Sequence, residues 1–279
     1  MGRKTMIYVR LIKRGFRFRF GLAKLTRLPL LGRMMDHAFF DGDDIFILPK
    51  ERPTRTTEII VDLPAPERED TVLPSAVVRH FVERSRYHFL MNDCICRTSA
   101  QCHDYPRDLG CLFLGKATLK IDPRLGRMVS KEEALTHLDR CEKAGLVHLI
   151  GRNKIDSVWT SATPKEDLMT ICNCCPCCCL WKMLPDLDPD ISQKIKRLPG
   201  LRVLIDDNCL GCGKCVEVCY VRAITIHDGK GVIDEESCKG CGRCATVCPE
   251  GAVHLELMDE TFLEKVIQEL DTLVDVTKD

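Results

Sequence analysis

The chain has 279 residues, 45% of them hydrophobic, and a formal net charge of zero, which is ordinary for a globular protein with a sizeable core. No stretch reaches the roughly 18 uncharged apolar residues of a membrane span, and the charged start MGRKTMIYVRLIKRGFRFRF lacks the apolar centre of a secretory signal. Nineteen cysteines therefore predict metal ligands in a reducing cytoplasm rather than the disulfides of a secreted protein.

The first 35 residues, here called the basic arm, carry ten Lys or Arg and no acid. Five of their apolar residues fall near one helical face, namely Ile7, Leu11, Phe18, Leu22 and Leu25. Because Phe16 to Phe20 alternates like a strand, the secondary structure of the arm stays open. Basic amphipathic segments can lie on an anionic membrane, dock an acidic partner or bind nucleic acid. An acidic partner or peripheral membrane contact is predicted, an ordinary structural segment is the alternative, and nucleic acid is least favoured.

A proline-rich connector is predicted over residues 36–73, because Pro49, Pro53, Pro64 and Pro66 argue against long regular elements. A cysteine-rich domain is predicted to follow over residues 74–200. Its first helix would start near Ser75 and bury four apolar residues at helical spacing, which are Val77, Val78, Phe81 and Val82.

The second helix of that domain is marked at both ends. Ser130 and Glu133 form the S-x-x-E capping box, and Gly145 supplies the stop. Cys141 falls on the apolar face with Ala134, Leu135 and Leu138, and is predicted to be a buried core thiol. The following LVHLI reads as a short strand.

Two copies of one cysteine pattern, 29 residues apart, lie between Cys209 and Pro249. The first repeat is CLGCGKCVEVC and the second repeat is CKGCGRCATVC. Both have the spacing CxxCxxCxxxC, in which three thiolates bind one cubane cluster and the fourth reaches the other cluster. On this pattern cluster one is held by Cys209, Cys212, Cys215 and Cys248, and cluster two by Cys219, Cys238, Cys241 and Cys244. Zinc is the alternative, but zinc knuckles use separated pairs of cysteines.

This segment resembles a bacterial-type dicluster ferredoxin domain, which implies a small α+β fold with pseudo-two-fold symmetry and a relay of single electrons. One departure is Tyr220, which stands where the family usually has proline, as Pro249 does in the second repeat. The chain path after Cys219 is therefore open. The domain is assigned to residues 201–257, followed by an acidic amphipathic helix over 258–279 whose apolar residues are Phe262, Leu263, Val266, Ile267, Leu270 and Leu273.

Ten further cysteines fall in two groups, too dense for an ordinary core. The first is Cys94, Cys96, Cys102 and Cys111, and the second is Cys172, Cys174, Cys175, Cys177, Cys178 and Cys179. Pro176 excludes a regular helix, so an extended or looped stretch is predicted in the second group. An extended chain would place Cys175, Cys177 and Cys179 on one side and Cys172, Cys174 and Cys178 on the other.

The two groups are predicted to meet in space and to bind at least one further centre, an iron–sulfur cluster in preference to zinc, with redox-active dithiols as the alternative without metal. Arg97 and His103 lie among these cysteines and can tune a cluster or bind an anion, but ordinary surface positions are predicted for both. Residues 90 to 255 resemble uncharacterised ferredoxin-type iron–sulfur proteins of anaerobes with CxCR and CNCCxCC segments, which implies a shared architecture and no particular reaction.

The fold class expected is α+β, with a C-terminal dicluster ferredoxin-like domain and a cysteine-rich α+β middle domain. The motifs GxGxxG, GxxxxGK[ST] and GxSxG are missing, so two-electron chemistry is assigned to a redox partner or oxidoreductase complex. The sequence predicts an electron-transfer protein or subunit. The alternatives are a reductase or reductive activator with its active cluster in the middle domain, and a zinc-bound interaction scaffold.

Overall fold

The computed structural model describes residues 2–50, 55–56, 73–258 and 261–279. The α-helices in these ranges are α1 Gly2–Gly15, α2 Arg19–Leu25, α3 Pro29–Phe39, α4 Leu73–Arg84, α5 Ile95–Ser99, α6 Lys131–Lys143, α7 Lys154–Thr160, α8 Pro189–Ser192, α9 Lys214–Val218, α10 Arg243–Val247 and α11 Phe262–Leu273. The strands are β1 Asp44–Ile47, β2 Arg55–Thr56, β3 His88–Met91, β4 Leu112–Leu114, β5 Gly126–Met128, β6 Val147–Arg152, β7 Met169–Cys174, β8 Ile195–Arg197, β9 Leu201–Ile205, β10 Ile224–His227, β11 Lys230–Ile233 and β12 Val253–Leu257. Short 3-10 helices occur at Phe16–Phe18, Lys116–Lys120, Lys165–Asp167 and Leu180–Asp186. This mixture of helices and sheets is the α+β fold expected.

The largest sheet of the described chain has seven strands in the order β5-β3-β4-β7-β6-β1-β8. Its neighbours pair antiparallel, except that β1 and β8 run parallel. Helices α4, α6 and α11 contribute to the hydrophobic core on this sheet, together with Phe46, Leu112, Ile150 and Ile171. Strand β7 lies in the middle of the sheet and ends at Cys174, so the fold fixes where the second cysteine group begins.

The region predicted as a connector contains one strand of this sheet. Strand β1 pairs with β6 on one side and β8 on the other, and Ile45, Phe46 and Ile47 are buried. The connector was predicted from the prolines alone. The run of apolar residues from Ile45 to Ile47 is instead typical of a strand that is buried on both faces. Pro53, Pro64 and Pro66 lie outside the described residues.

The helices predicted from periodicity are present. Helix α4 buries the four residues named for it, and Ser130 Oγ accepts a hydrogen bond from the Glu133 backbone N–H at 3.2 Å at the start of α6. Cys141 is fully buried on α6, as predicted. Helix α11 buries Phe262, Leu263, Val266 and Leu270 against the core that contains α4.

The basic arm consists of helices α1 and α2 and the first part of α3. Val9, Phe16 and Ala23 recur every seven residues and are buried, so this stripe packs on the rest of the chain. The five apolar residues predicted on one helical face all lie at the surface. The strand-like alternation from Phe16 to Phe20 is a 3-10 turn leading into α2, because the buried spacing of the arm is helical.

Asp43 is a buried carboxylate beside the arm and predicts a pH dependence of stability. Its Oδ1 accepts the Lys154 backbone N–H at 2.6 Å, whereas its Oδ2 has no hydrogen-bond partner in the described chain. Burial raises the pKa of Asp43 to about 7, and the charge of Asp156 acts in the same direction. The folded state therefore holds a proton between about pH 4 and 7 that the unfolded state releases.

Stability should consequently fall as pH rises through this window. Between about pH 5 and 8 the loss at Asp43 is roughly 2 to 3 kcal/mol, because each pKa unit corresponds to about 1.36 kcal/mol. The variant Asp43→Asn should lack this component, and urea unfolding of both proteins at the two pH values measures it. Parallel pH profiles for variant and parent would contradict the assignment.

Candidate metal centres

Each repeat of the C-terminal domain forms a tight loop followed by a short helix. Gly211 and Gly213 have φ values of 64° and 78°, and Gly240 and Gly242 have 66° and 76°. This left-handed region strains residues that carry a Cβ, which explains glycine at these positions. Helices α9 and α10 follow at once and carry the third cysteine of each repeat in a buried position, Cys215 and Cys244.

Backbone N–H groups point at sulfur atoms in both repeats. Gly231 and Gly211 donate to Cys209 Sγ at 3.3 and 3.5 Å, and these bonds lower the pKa of the Cys209 thiol. Such bonds stabilise a thiolate and raise the reduction potential of a cluster bound to it. The fourth cysteines receive the same contact, from Ala223 N to Cys219 Sγ and from Ala252 N to Cys248 Sγ, both at 3.3 Å.

Cys219 belongs to the first repeat but lies close to thiols of the second. Burial raises the pKa of Cys219, and the charges of Cys241 and Cys238 act in the same direction. Burial also raises the pKa of Cys244, with Cys241, Cys238 and Cys219 as its charged neighbours. Cys219 is therefore grouped in space with three thiols of the second repeat, which is the arrangement that a crossed ligand set requires.

Four thiols of the middle domain meet where the loop after α5 faces the turn after β7. Their Sγ atoms all lie within 4.8 Å of one another, and this four-thiol group consists of Cys102, Cys175, Cys177 and Cys178. Cys177 Sγ is 3.5 Å from Cys102 Sγ and 3.6 Å from Cys175 Sγ. A tetrahedral ion with metal–sulfur bonds of about 2.3 Å holds its four sulfur atoms about 3.8 Å apart. The sulfur–sulfur distances of this group therefore suit a site for one metal ion. The ligand sulfur atoms of a four-iron cluster would lie further apart.

The other six middle cysteines surround one cavity of about 460 Å³, which Cys175 of the four-thiol group also lines. This six-thiol group consists of Cys94, Cys96, Cys111, Cys172, Cys174 and Cys179. Cys111 Sγ and Cys172 Sγ are 3.7 Å apart. The Cys172 and Cys179 thiols contact Cys174 and hold its pKa well below the ordinary value. Contact with Cys96 likewise lowers the pKa of Cys94, to about 7. Residues of the basic arm and of α7 close the cavity, among them Leu11, Phe16 and Trp159.

The two cysteine groups of the sequence therefore meet, but they divide differently from the prediction. Extended chain stops at Cys174, and Pro176 begins a turn, so the alternation of faces does not continue. Cys179 returns to Cys172 and Cys174, and Cys178 joins the four-thiol group. The stretch is therefore looped after Cys174, and only the sides expected of Cys178 and Cys179 in an extended chain were wrong.

The predicted surface position of Arg97 was also wrong. Its side chain is fully buried, Nη1 donates to the Asn173 carbonyl oxygen at 2.8 Å, and Nη2 donates to the Leu109 carbonyl oxygen. Although burial opposes its charge, the pKa of Arg97 is raised, because the thiolates of the middle domain surround it. His103 is exposed, as predicted.

Comparison with known proteins covers the C-terminal part of the chain. The family model of the 4Fe-4S dicluster domain matches residues 208–252. Ferredoxin-2 of Desulfomicrobium norvegicum is 47% identical over 34 residues, which are 12% of this chain and 58% of that ferredoxin. Residues 208–252 are a 4Fe-4S dicluster ferredoxin domain. No solved structure matches the chain significantly.

The dicluster domain has the donors that [4Fe-4S] clusters need. Its soft thiolates stand on glycine loops, and backbone N–H groups already face Cys209, Cys219 and Cys248. The domain indicates iron–sulfur electron transfer. In the described chain no helix is long and apolar enough to cross a membrane.

Arg243 joins the dicluster domain to the six-thiol group. It is buried, Nη2 donates to the Cys174 carbonyl oxygen at 2.6 Å, and its guanidinium carbon lies 5.3 Å from the centre of the Tyr220 ring. Burial opposes its charge, but Cys241 of the dicluster domain and Cys179 with Cys174 of the middle domain raise the pKa of Arg243. No role was predicted for Arg243 from the sequence, because nothing in the repeat itself shows what lies beside it. The departure at Tyr220 supplies the ring beneath it.

Proposed function

We propose that this protein relays single electrons through two [4Fe-4S] clusters between a redox partner and a metal centre of the middle domain. Cluster one would be held by Cys209, Cys212, Cys215 and Cys248, and cluster two by Cys219, Cys238, Cys241 and Cys244. The domain boundaries proposed are those read from the sequence, with strand β1 added to the middle domain. No proton donor or acceptor is needed for electron hopping.

The position of Arg243 is the observation that carries this proposal. Its Nη2 donates to the Cys174 carbonyl oxygen of the middle domain, and its charged neighbours include Cys241, so one buried side chain lies near thiols of both domains. Electron tunnelling falls steeply with distance, so the approach of cluster two to the middle domain favours transfer between them. The first repeat, by contrast, exposes Cys212 and Leu210, which provides the contact surface for a redox partner.

An anaerobic reductive titration tests the relay. The reconstituted full chain, reduced stepwise with dithionite under spectroscopic observation, should take up about three electrons, because each [4Fe-4S] cluster accepts one and the middle centre accepts another. About two electrons would restrict redox chemistry to the dicluster domain, and fewer would contradict electron transfer. Cys141→Ala is the matched control, since this buried thiol packs beside Cys102, Cys175 and Cys178 but is a proposed ligand of none of the centres, and it should leave the electron count unchanged.

A second candidate is a cluster-dependent reductase that acts in the middle domain. The cavity of the six-thiol group supports it, because about 460 Å³ is within the range of small-ligand sites. A cluster with an open iron should change its spectrum when cyanide or carbon monoxide is added. An unchanged spectrum would remove this candidate and leave the relay. A zinc-bound scaffold would instead show zinc as the sole metal of the middle domain.

We also propose that the basic arm lies on an anionic membrane surface. Leu30 and Met34 of α3 are 81% and 68% exposed, and Leu11, Phe18 and Leu22 are also at the surface, among the basic residues of the arm. Exposed apolar groups beside Lys and Arg suit the boundary of an anionic bilayer, where the apolar groups enter the hydrocarbon and the charges meet the lipid headgroups. An acidic protein surface would pair with the charges but leave the apolar groups uncovered.

The double variant Leu30→Glu, Met34→Glu should reduce co-sedimentation with vesicles containing roughly 30% anionic lipid by at least about tenfold. Each substitution removes an apolar group from the membrane and adds a repelled charge. Leu119→Glu, at an exposed site outside the arm, should sediment like the parent protein. Equal sedimentation of parent and double variant would refute membrane contact through α3.

A further inference from the structure

We propose that the six-thiol group binds a polynuclear iron–sulfur cluster inside its cavity, as a centre separate from a single metal ion in the four-thiol group. The inference relies on the proposed function for the source of electrons, but not for the binding of the cluster. It assigns two kinds of centre to ten cysteines that the comparisons leave uncovered.

The number of donors favours a cluster over one ion. A tetrahedral ion takes four thiolates, and the four-thiol group already has that number at suitable separations. The cavity brings six further thiols together from three segments of chain, around Cys94, Cys111 and Cys174. A centre with several irons can use more of these donors, and the cavity is much larger than a single ion requires.

Buried positive charge around the cavity is an independent reason to place an anionic group there. Arg97 lines the cavity and is fully buried, and its two hydrogen bonds go to uncharged backbone carbonyl oxygens, so its compensating charge comes from the surrounding thiols and from what they bind. The Nε atoms of Arg19, Arg97 and Arg243 are buried without a hydrogen-bond partner in the described chain. Buried cations are costly unless paired. A cluster with thiolate ligands carries net negative charge and would compensate them.

The site also has access and an electron supply. Leu11 and Leu22 of the basic arm line the cavity and are themselves partly exposed, so the cavity reaches the surface beside the arm. Arg243 connects Cys174 to the neighbourhood of cluster two. The cluster would thus be the acceptor next in line after the dicluster domain.

Quantitation of iron and acid-labile sulfide tests the inference on the anaerobically reconstituted full chain. The parent protein should contain about twelve sulfides, eight from the dicluster domain and about four from the cavity. The double variant Cys172→Ser, Cys179→Ser should lose about a third of the sulfide and keep the electron paramagnetic resonance signals of the dicluster domain. Those signals also show that the variant has folded.

The four-thiol group and a milder variant provide the controls. Cys177→Ser should lose one metal ion and no sulfide, and Cys111→Ser should weaken the cavity cluster without affecting the dicluster signals. About eight sulfides in the parent would overturn the inference while leaving the dicluster relay intact. Sulfide lost from Cys177→Ser but kept in the double variant would overturn it too, as would disulfides among the six thiols in the reconstituted protein.

Discussion

Replacing Cys219 by alanine is expected to abolish the cluster of the second repeat and to spare that of the first. Cys219 comes from the first repeat in sequence, but its neighbouring thiols are Cys238, Cys241 and Cys244. A [4Fe-4S] cluster that loses one of four thiolates is lost or converted to a three-iron form, so iron falls from about eight to about four or seven in the dicluster domain. Electron paramagnetic resonance of the reduced variant separates these outcomes.

Cys248→Ala is the reciprocal variant and the best control. Cys248 occupies the equivalent place in the second repeat, and its Sγ accepts an equivalent N–H bond. It should abolish cluster one and spare cluster two. If each alanine variant removed the cluster of its own repeat instead, the crossed ligand set would be wrong. Each variant lacks one thiol of the parent protein, so a general loss of folding would remove both clusters from both variants.

Arg97→Gln is expected to lower the free energy of unfolding by about 3 to 5 kcal/mol, since it removes a buried charge from thiolates and carbonyls arranged around it. Arg97 ties α5 to the loop at Leu109 and to the end of β7 at Asn173. The variant leaves at least one buried carbonyl without its donor. Urea unfolding of the anaerobic holoprotein, with metal content measured in parallel, provides the comparison.

Arg140→Gln is the matched control for this prediction. Arg140 pairs with Asp108, but both side chains are more than half exposed. Surface ion pairs contribute about 0 to 1 kcal/mol, so this variant should unfold almost like the parent. Similar small losses for both variants would show that the buried guanidinium of Arg97 does not organise the thiols.

The parts that the sequence predicted well are local in their physics. The CxxCxxC loops depend on their own glycines and on N–H groups within the same repeat unit, as at Cys209, so spacing alone predicts them. Helix α6 was delimited by Ser130 and Gly145, which act within one turn of the helix. The dicluster domain and the amphipathic helices were therefore predictable from spacing.

The division of the middle cysteines depends on contacts that sequence spacing does not encode. Cys102 meets Cys177 across 75 residues, and the turn at Pro176 exchanges the places of Cys178 and Cys179. Arg97 and Arg243 are buried because they face thiols from distant segments, whereas isolated charges in a sequence predict exposure. Strand β1 was missed because its only signal was one short apolar run among prolines.

Iron-edge anomalous diffraction from anaerobically grown crystals tests the central claim most directly. The account predicts two four-iron centres in the dicluster domain, the first bonded to Cys248 and the second to Cys219, with the second centre on the side of Arg243. Iron in both positions with these crossed bonds would establish the two clusters and the ligand sets on which the proposed relay depends. Zinc at those positions, or a second iron cluster that is not bonded to Cys219, would contradict the account.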